Sequence, residues 1–291
     1  MKAANVYAAQ LDAVHAQRAR IFGGQQQGDH WGDQANRFAL NPHRVIDENL
    51  EALAGYIQPD DLVIDVGGGA GRLSLPLALG CRQVLNAEPS TGMGSEFTRL
   101  AAEAGISNAT WHQTDWNDAE GFQGDVVITA DVTYFVREIV SFLQKLAATA
   151  GRRVIIAVWS IPPPNRSSRL FQLVHGEEQE PYPGHRELLA VLWEMGILPD
   201  IRVLPSPPWW DVEVYQSRNE ALESALGRHQ WLRPEDAARA WAILEDRFDE
   251  LFHESPQGFQ PVWRPEIREL LITWETALRE PVGQVNQPAA R

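Results

Sequence analysis

The sequence has almost no cysteine and no long apolar run, the features from which disulfides, thiolate metal sites and membrane spans are built. Cys81 is its single cysteine, which excludes an internal disulfide and a zinc site built from several thiolates. No stretch approaches the roughly 18 consecutive apolar residues of a membrane-spanning helix. The N-terminal region also lacks a secretory pattern, because Asp12, His15 and Arg18 interrupt any apolar run there. The cytoplasm is therefore the expected location.

Basic residues are also scarce. The 291 residues include 25 lysines and arginines against 39 aspartates and glutamates, which gives a formal net charge of −14. The basic residues are mostly scattered arginines, and a strongly acidic chain repels phosphate backbones. We therefore expect neither a nucleic acid nor a membrane as partner. The sequence leaves the oligomeric state open.

A glycine-rich turn follows a strongly apolar segment. Residues 62–64 (LVI) have a buried-strand pattern, and residues 65–71 read DVGGGAG. Residues 72–75 (RLSL) are expected to continue the chain as a helix. Glycines leave no side chains in such a turn, so a ligand can lie against bare backbone beside the unpaired N–H groups of the helix. The positions that would form this cradle are Asp65, Gly67, Gly68, Gly69 and Gly71.

The glycine spacing separates the families that use such turns. The dinucleotide fingerprint Gly-x-Gly-x-x-Gly fails, because counting from Gly67 puts Arg72 at its last position. The phosphate loop fails as well, since no Gly-Lys-Ser/Thr follows. The remaining pattern, Asp-x-Gly-x-Gly-x-Gly after a strand, resembles the first motif of class I S-adenosylmethionine-dependent methyltransferases. Alternatively, the glycines merely turn the chain while the acids cap helices.

The resemblance implies a cofactor, S-adenosylmethionine, and a set of contacts to it. Asp65 matches the acid that meets the amino acid portion of the methyl donor. Glu88, followed by Pro89, ends the next strand-like run and matches the acid that takes the two ribose hydroxyls. Asp115 and Trp116 follow a third strand-like run and match the acid and the apolar neighbour at the adenine ring.

Strand-like and helix-like segments alternate, which predicts a parallel sheet covered by helices on both faces. Strands are expected near residues 62–66, 83–88, 109–113, 125–130 and 153–159, with helices beginning near Ala70, Gly92 and Tyr134. Residues 6–21 predict another helix, and Asn41 with Pro42 predicts the start of one that continues to about Ile57. Pro76 lies inside a predicted helix, where it is tolerated if the first turn begins late.

Beyond residue 159 the alternation stops. Helices are expected at residues 167–175 and 186–195, short strands at 199–204 and 211–216, a helical insert at 219–252 and a final strand at 268–275. The resemblance implies an α/β fold with a doubly wound, seven-stranded, mostly parallel Rossmann-like sheet. One compact domain is expected, with an N-terminal helical lid (1–45), a cofactor-binding core (46–160), and the remaining strands with a helical substrate cap (161–291).

Three residues are candidates for the catalytic side of the site. In this fold the end of the fourth strand flanks the transferring methyl group, so Asp131 and Tyr134 are expected to face the substrate, and Asp131 the cofactor too. Asp131 as a helix cap and Tyr134 as a packed aromatic are the alternatives. His175 is the candidate for a general base, because an imidazole titrates near neutral pH and Glu177 or Glu178 could orient it. The alternative is a histidine at a helix end, followed by Gly176 as the C-cap.

Other residues were weighed for ligand and metal contacts. One histidine and two adjacent glutamates lack the spacing of a metal motif, so no metal is expected. Trp31 is favoured as part of a lid that folds over the cofactor. Arg72 fits a cofactor contact and a solvated helix position equally well.

The sequence thus predicts a methyltransferase that acts on an unidentified small molecule. Two alternatives come from other classes. One is a catalytically silent protein that binds S-adenosylmethionine, and the other is a nicotinamide-dependent oxidoreductase, which the glycine spacing already weakens. A methyltransferase that acts on protein or RNA is a variant of the main hypothesis and requires an open or basic groove.

Overall fold

A seven-stranded sheet organises the chain. The computed structural model describes residues 2–23, 29, 31–206, 213–227 and 231–276. The strands of the sheet lie in the order β3-β2-β1-β4-β5-β9-β6, and β7 and β8 form a separate hairpin. The strands are β1 (Leu62–Val66), β2 (Gln83–Ala87), β3 (Ala109–His112), β4 (Gly124–Ala130), β5 (Ala150–Trp159), β6 (Asp200–Val203), β7 (Phe252–Ser255), β8 (Gly258–Pro261) and β9 (Glu269–Glu275). Strands β1 to β5 pair in parallel, whereas β9 runs antiparallel to both β5 and β6.

Helices cover both faces of this sheet. They are α1 (Lys2–Phe22), α2 (Ala35–Phe38), α3 (Glu48–Ala54), α4 (Ser74–Ala78), α5 (Thr91–Glu103), α6 (Ile139–Thr149), α7 (Ser168–His175), α8 (His185–Glu194), α9 (Arg218–Gly227), α10 (Ala237–Asp246) and α11 (Phe248–Leu251). Short 3-10 helices lie at Gly32–Gln34, Thr133–Phe135, Pro163–Asn165 and Pro234–Asp236. Among the residues that the structure describes, no helix has both the length and the apolar character that crossing a membrane requires.

The strand sequences explain why both faces are covered. Along β4, Val126 and Ile128 belong to the core cluster that contains α3 and α5 residues, while Val127 belongs to the cluster that contains α1, α6 and α8 residues. Successive side chains of a strand point to opposite faces, so a continuous apolar run requires two apolar layers. The predicted doubly wound α/β architecture is confirmed. The proposed division at residues 45 and 160 stays a prediction.

Helix α1 belongs to the core rather than to a covering segment. Its residues Tyr7, Leu11 and Val14 are buried in the same cluster as α6 and α8 residues. The hydroxyl of Tyr7 donates to the carbonyl of Thr133 at 2.6 Å, which ties α1 to the segment after β4. The contacts of residues 29 and 31–38, which also belong to the predicted lid region, are described below.

Several sequence predictions need correction. The helix expected from Asn41 begins at Glu48 instead, because Asp47 caps Leu50 N while the Asn41 side chain accepts from His43 N in a local turn. The helix expected at Tyr134 begins at Ile139, after a 3-10 turn. Of the strand expected at 211–216, residues 211 and 212 lie outside the described residues, and Tyr215 forms only a single bridge to Phe259. The predicted helical insert ends where the hairpin of β7 and β8 begins, and the two share only Phe252.

The late start of α4 explains Pro76. The helix begins at Ser74, so Pro76 occupies its first turn, where backbone N–H groups have no helical partner to lose. The helical insert otherwise forms its own apolar cluster, in which α7, α9 and α10 pack together with the hairpin. The insert lies in sequence between β6 and β9, as expected.

Gly71→Ala tests how tightly the glycine turn packs against helices α4 and α5. Gly71 has a φ of 87°, and a Cβ there would lie 2.7 Å from Cγ of Leu75 and from Cδ2 of Phe97. We expect a loss of about 2–4 kcal/mol in the free energy of unfolding, from the left-handed backbone and overpacking together. Gly105→Ala is the matched control, because Gly105 has a φ of 68° and open space around it; it should lose only about 1 kcal/mol. Equal losses in urea titrations of the two variants would contradict this packing.

Candidate functional site

The glycine turn lies at the edge where the parallel strands end. β1 is flanked by β2 on one side and by β4 on the other, so the connections leave this point in opposite directions. Such a switch point opens a crevice beyond the carboxyl ends of the strands, which is the usual ligand position in doubly wound sheets. Asp65 lies in β1, Glu88 directly follows β2, and Asp131 directly follows β4. The structure therefore brings these three predicted residues to one edge.

The turn itself is a backbone cradle. Gly67, Gly69 and Gly71 have φ angles of 70°, 54° and 87°, which side-chain-bearing residues rarely adopt. A Cβ at Gly67 would lie 2.5 Å from Cγ2 of Val132, so the turn packs directly on the segment after β4. A Cβ at Gly69 would meet only the sulfur of Met93, at 3.6 Å. At Gly69 the turn is therefore less crowded than at Gly67 and Gly71.

Asp65 is a buried acid with one free oxygen. The residue is 1% exposed, and its Oδ2 accepts a hydrogen bond from the Ser74 hydroxyl. Its Oδ1 is buried and has no hydrogen-bond partner. Burial raises the pKa of Asp65 to about 6. A buried acceptor without a donor is costly, so this oxygen is suited to a cationic or N–H donor from a ligand.

Asn86 is a site residue that the sequence reasoning missed. It is the register partner of Asp65 on β2, and its Nδ2 donates to the Gly69 carbonyl at 2.9 Å. Its Oδ1 is buried and has no partner. A Cβ on Gly68 would collide with the side chains of both Asp65 and Asn86, so a glycine is needed there. A polar residue between Leu85 and Ala87, two positions before Glu88, was the available signal.

Glu88 closes the other side of the turn. Its Oε2 accepts from Gly69 N at 3.0 Å and its Oε1 from Ser90 N at 2.8 Å. The side chain is buried, and this burial raises the pKa of Glu88. Each carboxylate oxygen can accept a second hydrogen bond, so two acceptor positions remain for a ligand. Pro89, the next residue, is exposed at the rim.

Asp115 and Trp116 end up in different surroundings. Asp115 is exposed in the turn after β3, and its Oδ1 accepts from Asn117 N at 2.8 Å. Trp116 is 4% exposed and packs edge-on against Phe122, with ring centroids 5.9 Å apart. The indole belongs to the main core cluster. Both roles at an adenine ring stay predictions.

Asp131 is held between three donors. Its Oδ2 receives Nη2 of Arg72 at 3.2 Å and Nε1 of Trp159 at 3.4 Å, and its Oδ1 receives the Tyr134 hydroxyl at 3.5 Å. Asp131 also has a φ of 62°, a left-handed conformation that aspartate tolerates better than most residues. Arg72 is thus not a fully solvated residue, because it pairs with Asp131, and its contact with the cofactor stays a prediction.

Tyr134 is a buried, protonated phenol. It is 0% exposed, and its oxygen accepts the backbone N–H of Trp159. Burial, followed by the charge of Asp131, raises the pKa of Tyr134 well above its usual value. Tyr134 can therefore position Asp131 but cannot serve as a base near neutral pH.

Two further charged residues near Asp131 were not found from the sequence. Arg166 lies over the ring of Trp159, 4.7 Å from its centroid, and interacts electrostatically with Asp131 and Glu269. Glu269 is 6% exposed at the start of β9, and its Oε2 accepts from Asn49 Nδ2 at 2.7 Å. These residues come from the connection after β5 and from the last strand, so only the folded chain brings them together.

A short segment before α2 is clamped onto this edge. The Oδ2 of Asp29 accepts from the Ser90 hydroxyl and from Gly92 N, both at 2.9 Å, while its Oδ1 accepts from Gly32 N at 2.9 Å. These bonds, led by the one from Gly92, lower the pKa of Asp29. Trp31 is 40% exposed and lies edge-on to Phe135, the residue after Tyr134, with ring centroids 6.0 Å apart.

His175 is not brought to this edge by any of its described contacts. Its Nε2 lies 2.9 Å from the carbonyl of Trp231, and its ring contacts Phe22 and Phe171. Gly176 follows with a φ of 75°, as a helix C-cap, and Glu177 pairs with Arg20. This environment matches the helix-end alternative. Within the described ranges, no group of three or more His, Cys, Asp or Glu residues is placed to hold a metal ion.

Comparison with known proteins supports the fold. No protein-family model matches the chain. A Haemophilus influenzae protein described only as uncharacterized is 26% identical over 207 residues, which are 68% of this chain and 74% of that protein. A ribosomal protein L11 methyltransferase of Listeria welshimeri is 38% identical over 81 residues, which are 28% of this chain and 24% of the relative. This chain thus matches only about a quarter of that enzyme's length.

Solved structures extend the similarity over most of the chain. A SAM-dependent methyltransferase from Thiobacillus denitrificans, in complex with S-adenosyl-L-homocysteine, has a TM-score of 0.51 at 13% identity. The match covers 86% of this chain and 98% of that one. The chain has the Rossmann-like methyltransferase fold, and the fold predicted from its motifs is confirmed.

Asp29→Ala should release the segment before α2. Removing three hydrogen bonds at about 1 kcal/mol each should speed amide exchange of Gly32 and Gly92 by at least tenfold, as measured by NMR. Asp47→Ala is the matched control, because it removes an aspartate cap from α3 instead. It should leave both amides unchanged, and unchanged exchange in Asp29→Ala would refute the clamp.

Asp65 should make stability depend on pH in a defined window. Because its pKa is about 6 in the folded chain, against 3.8 as the ordinary value, the folded state binds this proton more tightly. Stability should therefore fall as pH rises from about 4 to 6, by up to about 3 kcal/mol. Asp65→Asn removes this effect. Its free energy of unfolding in urea should match that of the wild type at pH 4 and exceed it at pH 7; an equal difference at both pH values would contradict the burial.

Proposed function

We propose that the chain is an S-adenosylmethionine-dependent methyltransferase that acts on a small molecule. The observation that carries this proposal is the pairing of a glycine turn, which is uncrowded at Gly69, with a buried, unpartnered Asp65 oxygen at the switch point of the sheet. The structural similarity to methyltransferases supports it through the fold, and the L11 enzyme supports it through a local sequence match.

The residues at the edge fit the proposed cofactor. Asp65 Oδ1 offers a buried anionic acceptor that suits the ammonium of the methionine portion. Gly69 presents open backbone beside it, and Glu88 keeps acceptor capacity for the ribose hydroxyls. Asp115 lies at the end of the next strand along, where it would meet the adenine amino group.

Methyl transfer requires mainly that the acceptor be aligned with the methyl group. When bound, S-adenosylmethionine supplies a sulfonium methyl carbon; an acceptor lone pair bonds to it while the C–S bond breaks and its electron pair returns to sulfur. Asp131 lies beyond β4, where it would orient the acceptor or take a proton from it. Tyr134 would hold Asp131 through its hydroxyl. Trp31 and Phe135 would shield the site from water.

The proposal that the acceptor is small rests on the composition of the chain and on the clamped segment. A net charge of −14 disfavours a phosphate backbone, and the clamped segment beside Trp31 encloses one side of the edge. The L11 relative keeps a protein acceptor as the second candidate. A silent binding protein would bind the cofactor without turning over any acceptor, and a nicotinamide enzyme would bind NADH instead.

Calorimetry with S-adenosylhomocysteine tests cofactor binding. Glu88→Ala should weaken binding by about 1–3 kcal/mol, because a charged hydrogen-bond acceptor is lost from the site. Glu103→Ala, on the exposed side of the following helix α5, should bind as the wild type does. NADH should give no heat.

The outcomes separate the candidates. No heat from S-adenosylhomocysteine on the wild type would overturn the proposed function, and heat from NADH would favour the oxidoreductase. With binding established, transfer of a labelled methyl group is scored against small-molecule extracts and against ribosomes. Transfer to ribosomes alone would replace the small molecule by a macromolecular acceptor, and transfer to neither would favour the silent binding protein.

A further inference from the structure

Strand β6 is one of the two outer strands of the seven-stranded sheet. Among the residues that the structure describes, β6 pairs only with β9, so its other side is an open edge. All four of its residues, 200–203, are exposed. An open edge presents backbone N–H and C=O groups to which another strand can add. A second chain can therefore extend the sheet at β6.

The hydrogen bonds to β9 decide which backbone groups of β6 face outward. Leu204, which follows the strand, donates its N–H to the carbonyl of Glu269 at 2.8 Å. Backbone groups alternate in direction along an antiparallel pair, so Arg202 also bonds to β9. The N–H and C=O groups of Ile201 and Val203 therefore point away from β9, toward the open edge.

One face of the strand is apolar at this edge. Ile201 lies opposite Ile272 of β9, a residue of the main core cluster that also contains α8 residues. Val203 lies opposite Leu270, which belongs to the same cluster. Directly opposed side chains share a face of the sheet. Ile201 is nevertheless 42% exposed and Val203 61% exposed. The core face of the sheet thus ends in apolar side chains that stay accessible to solvent.

The other face of the strand carries one charge of each sign. Asp200 and Arg202 are both exposed, and their side chains share this face because they lie two residues apart. Among the described residues, neither has an ion-pair partner in its own chain. An acid and a base at this spacing are self-complementary. When two identical strands pair antiparallel, the acid of each can lie opposite the base of the other.

Few registers are open to two copies of β6. Outward-facing residues must oppose outward-facing residues for hydrogen bonds to form, so the two-fold axis passes at one residue of the strand. At Ile201, each Asp200 lies opposite Arg202 of the second copy. At Asp200 or Arg202, two like charges oppose each other, which is unfavourable. At Val203, Arg202 lies opposite Leu204 and has no acid to face. Charge therefore favours the axis at Ile201.

We propose that two copies of this chain pair antiparallel along β6, about a two-fold axis at Ile201, and form one continuous sheet. Two pairs of Asp200 with Arg202 then lie on one face, and the exposed apolar side chains of both strands meet on the other. Pro199 and Pro205 flank the strand and have no N–H to donate, so they confine the pairing to this segment. So short an interface is typical of a weak dimer, and we expect micromolar association.

Sedimentation velocity of the full-length protein from about 1 to 300 µM tests the pairing. In about 0.15 M salt the Debye length of about 8 Å screens the net charge of −14 on each copy. We expect the sedimentation coefficient to rise from that of a monomer to that of a dimer. Asp200→Arg places arginines opposite arginines, and Arg202→Asp places aspartates opposite aspartates. Each variant alone should therefore dimerise at least tenfold more weakly than the wild type.

An equimolar mixture of these two variants tests the register itself. In a heterodimer of Asp200→Arg with Arg202→Asp, every arginine lies opposite an aspartate again, so the mixture should dimerise about as tightly as the wild type. Glu254→Arg is the matched control, because it makes the same change of charge on an exposed residue of strand β7. It should leave dimerisation unchanged. Ile201→Pro removes the outward N–H at the axis while the bonds to β9 remain, and should weaken dimerisation at least tenfold.

All the changed side chains are exposed, so each variant should melt within a few degrees of the wild type. A wild type that stays monomeric throughout the concentration range would overturn the proposal and leave the edge to a strand of another protein. Single variants that dimerise as the wild type does would overturn the placement at β6. A mixture that stays monomeric would overturn the axis at Ile201. The inference does not rest on the proposed function, which calorimetry with S-adenosylhomocysteine tests separately.

Discussion

The burial of Asp65 beneath its own glycine turn is the constraint that shapes the rest of this edge. The chain can fold back over the carboxyl group only because Gly68 has no side chain, since a Cβ there would occupy the space of Asp65 and Asn86. Ser74 satisfies one carboxylate oxygen and leaves the other without a donor. Isolated buried charges are unfavourable, so the fold keeps an acceptor that a ligand can satisfy better than water can.

Strand order then divides the edge into two electrostatic halves. On the β2 side, the acids are held by backbone amides, as in Glu88 with Gly69 and in Asp29 with Gly92. On the β4 side, the acids meet arginines instead, and Asp131 with Arg72 is the pair at the surface. Because the connections of a doubly wound sheet diverge between β1 and β4, both halves lie at the same switch point. A ligand with one polar end for each half would span the switch point.

Local signals predicted the residues of the first half, but in the second half they pointed to Asp131 and Tyr134 and missed Arg166 and Glu269. The glycine turn, Asp65 and Glu88 lie within a single βαβ unit, where spacing along the chain fixes spacing in space, and β1 falls at the predicted residues 62–66. Glu269 meets Asp131 only through the pairing of β9 with β5, far apart in sequence. Local patterns carry no information on such pairings. The helix predicted from Asn41 begins later, because the Asn41 side chain accepts from His43 N in a local turn, whereas Asp47 accepts from Leu50 N as the N-cap of α3.

Aromatic rings connect the clamped segment, which contains Asp29 and Trp31, to Asp131. Trp31 contacts Phe135, Phe135 contacts both Tyr134 and Tyr182, and the Tyr134 hydroxyl reaches Asp131. Movement of Trp31 away from the edge would therefore uncover Phe135, a residue that is already 41% exposed, before it disturbed any buried group. Tyr134 is held independently by the backbone N–H of Trp159. The position of Asp131 thus depends on the sheet rather than on the clamped segment.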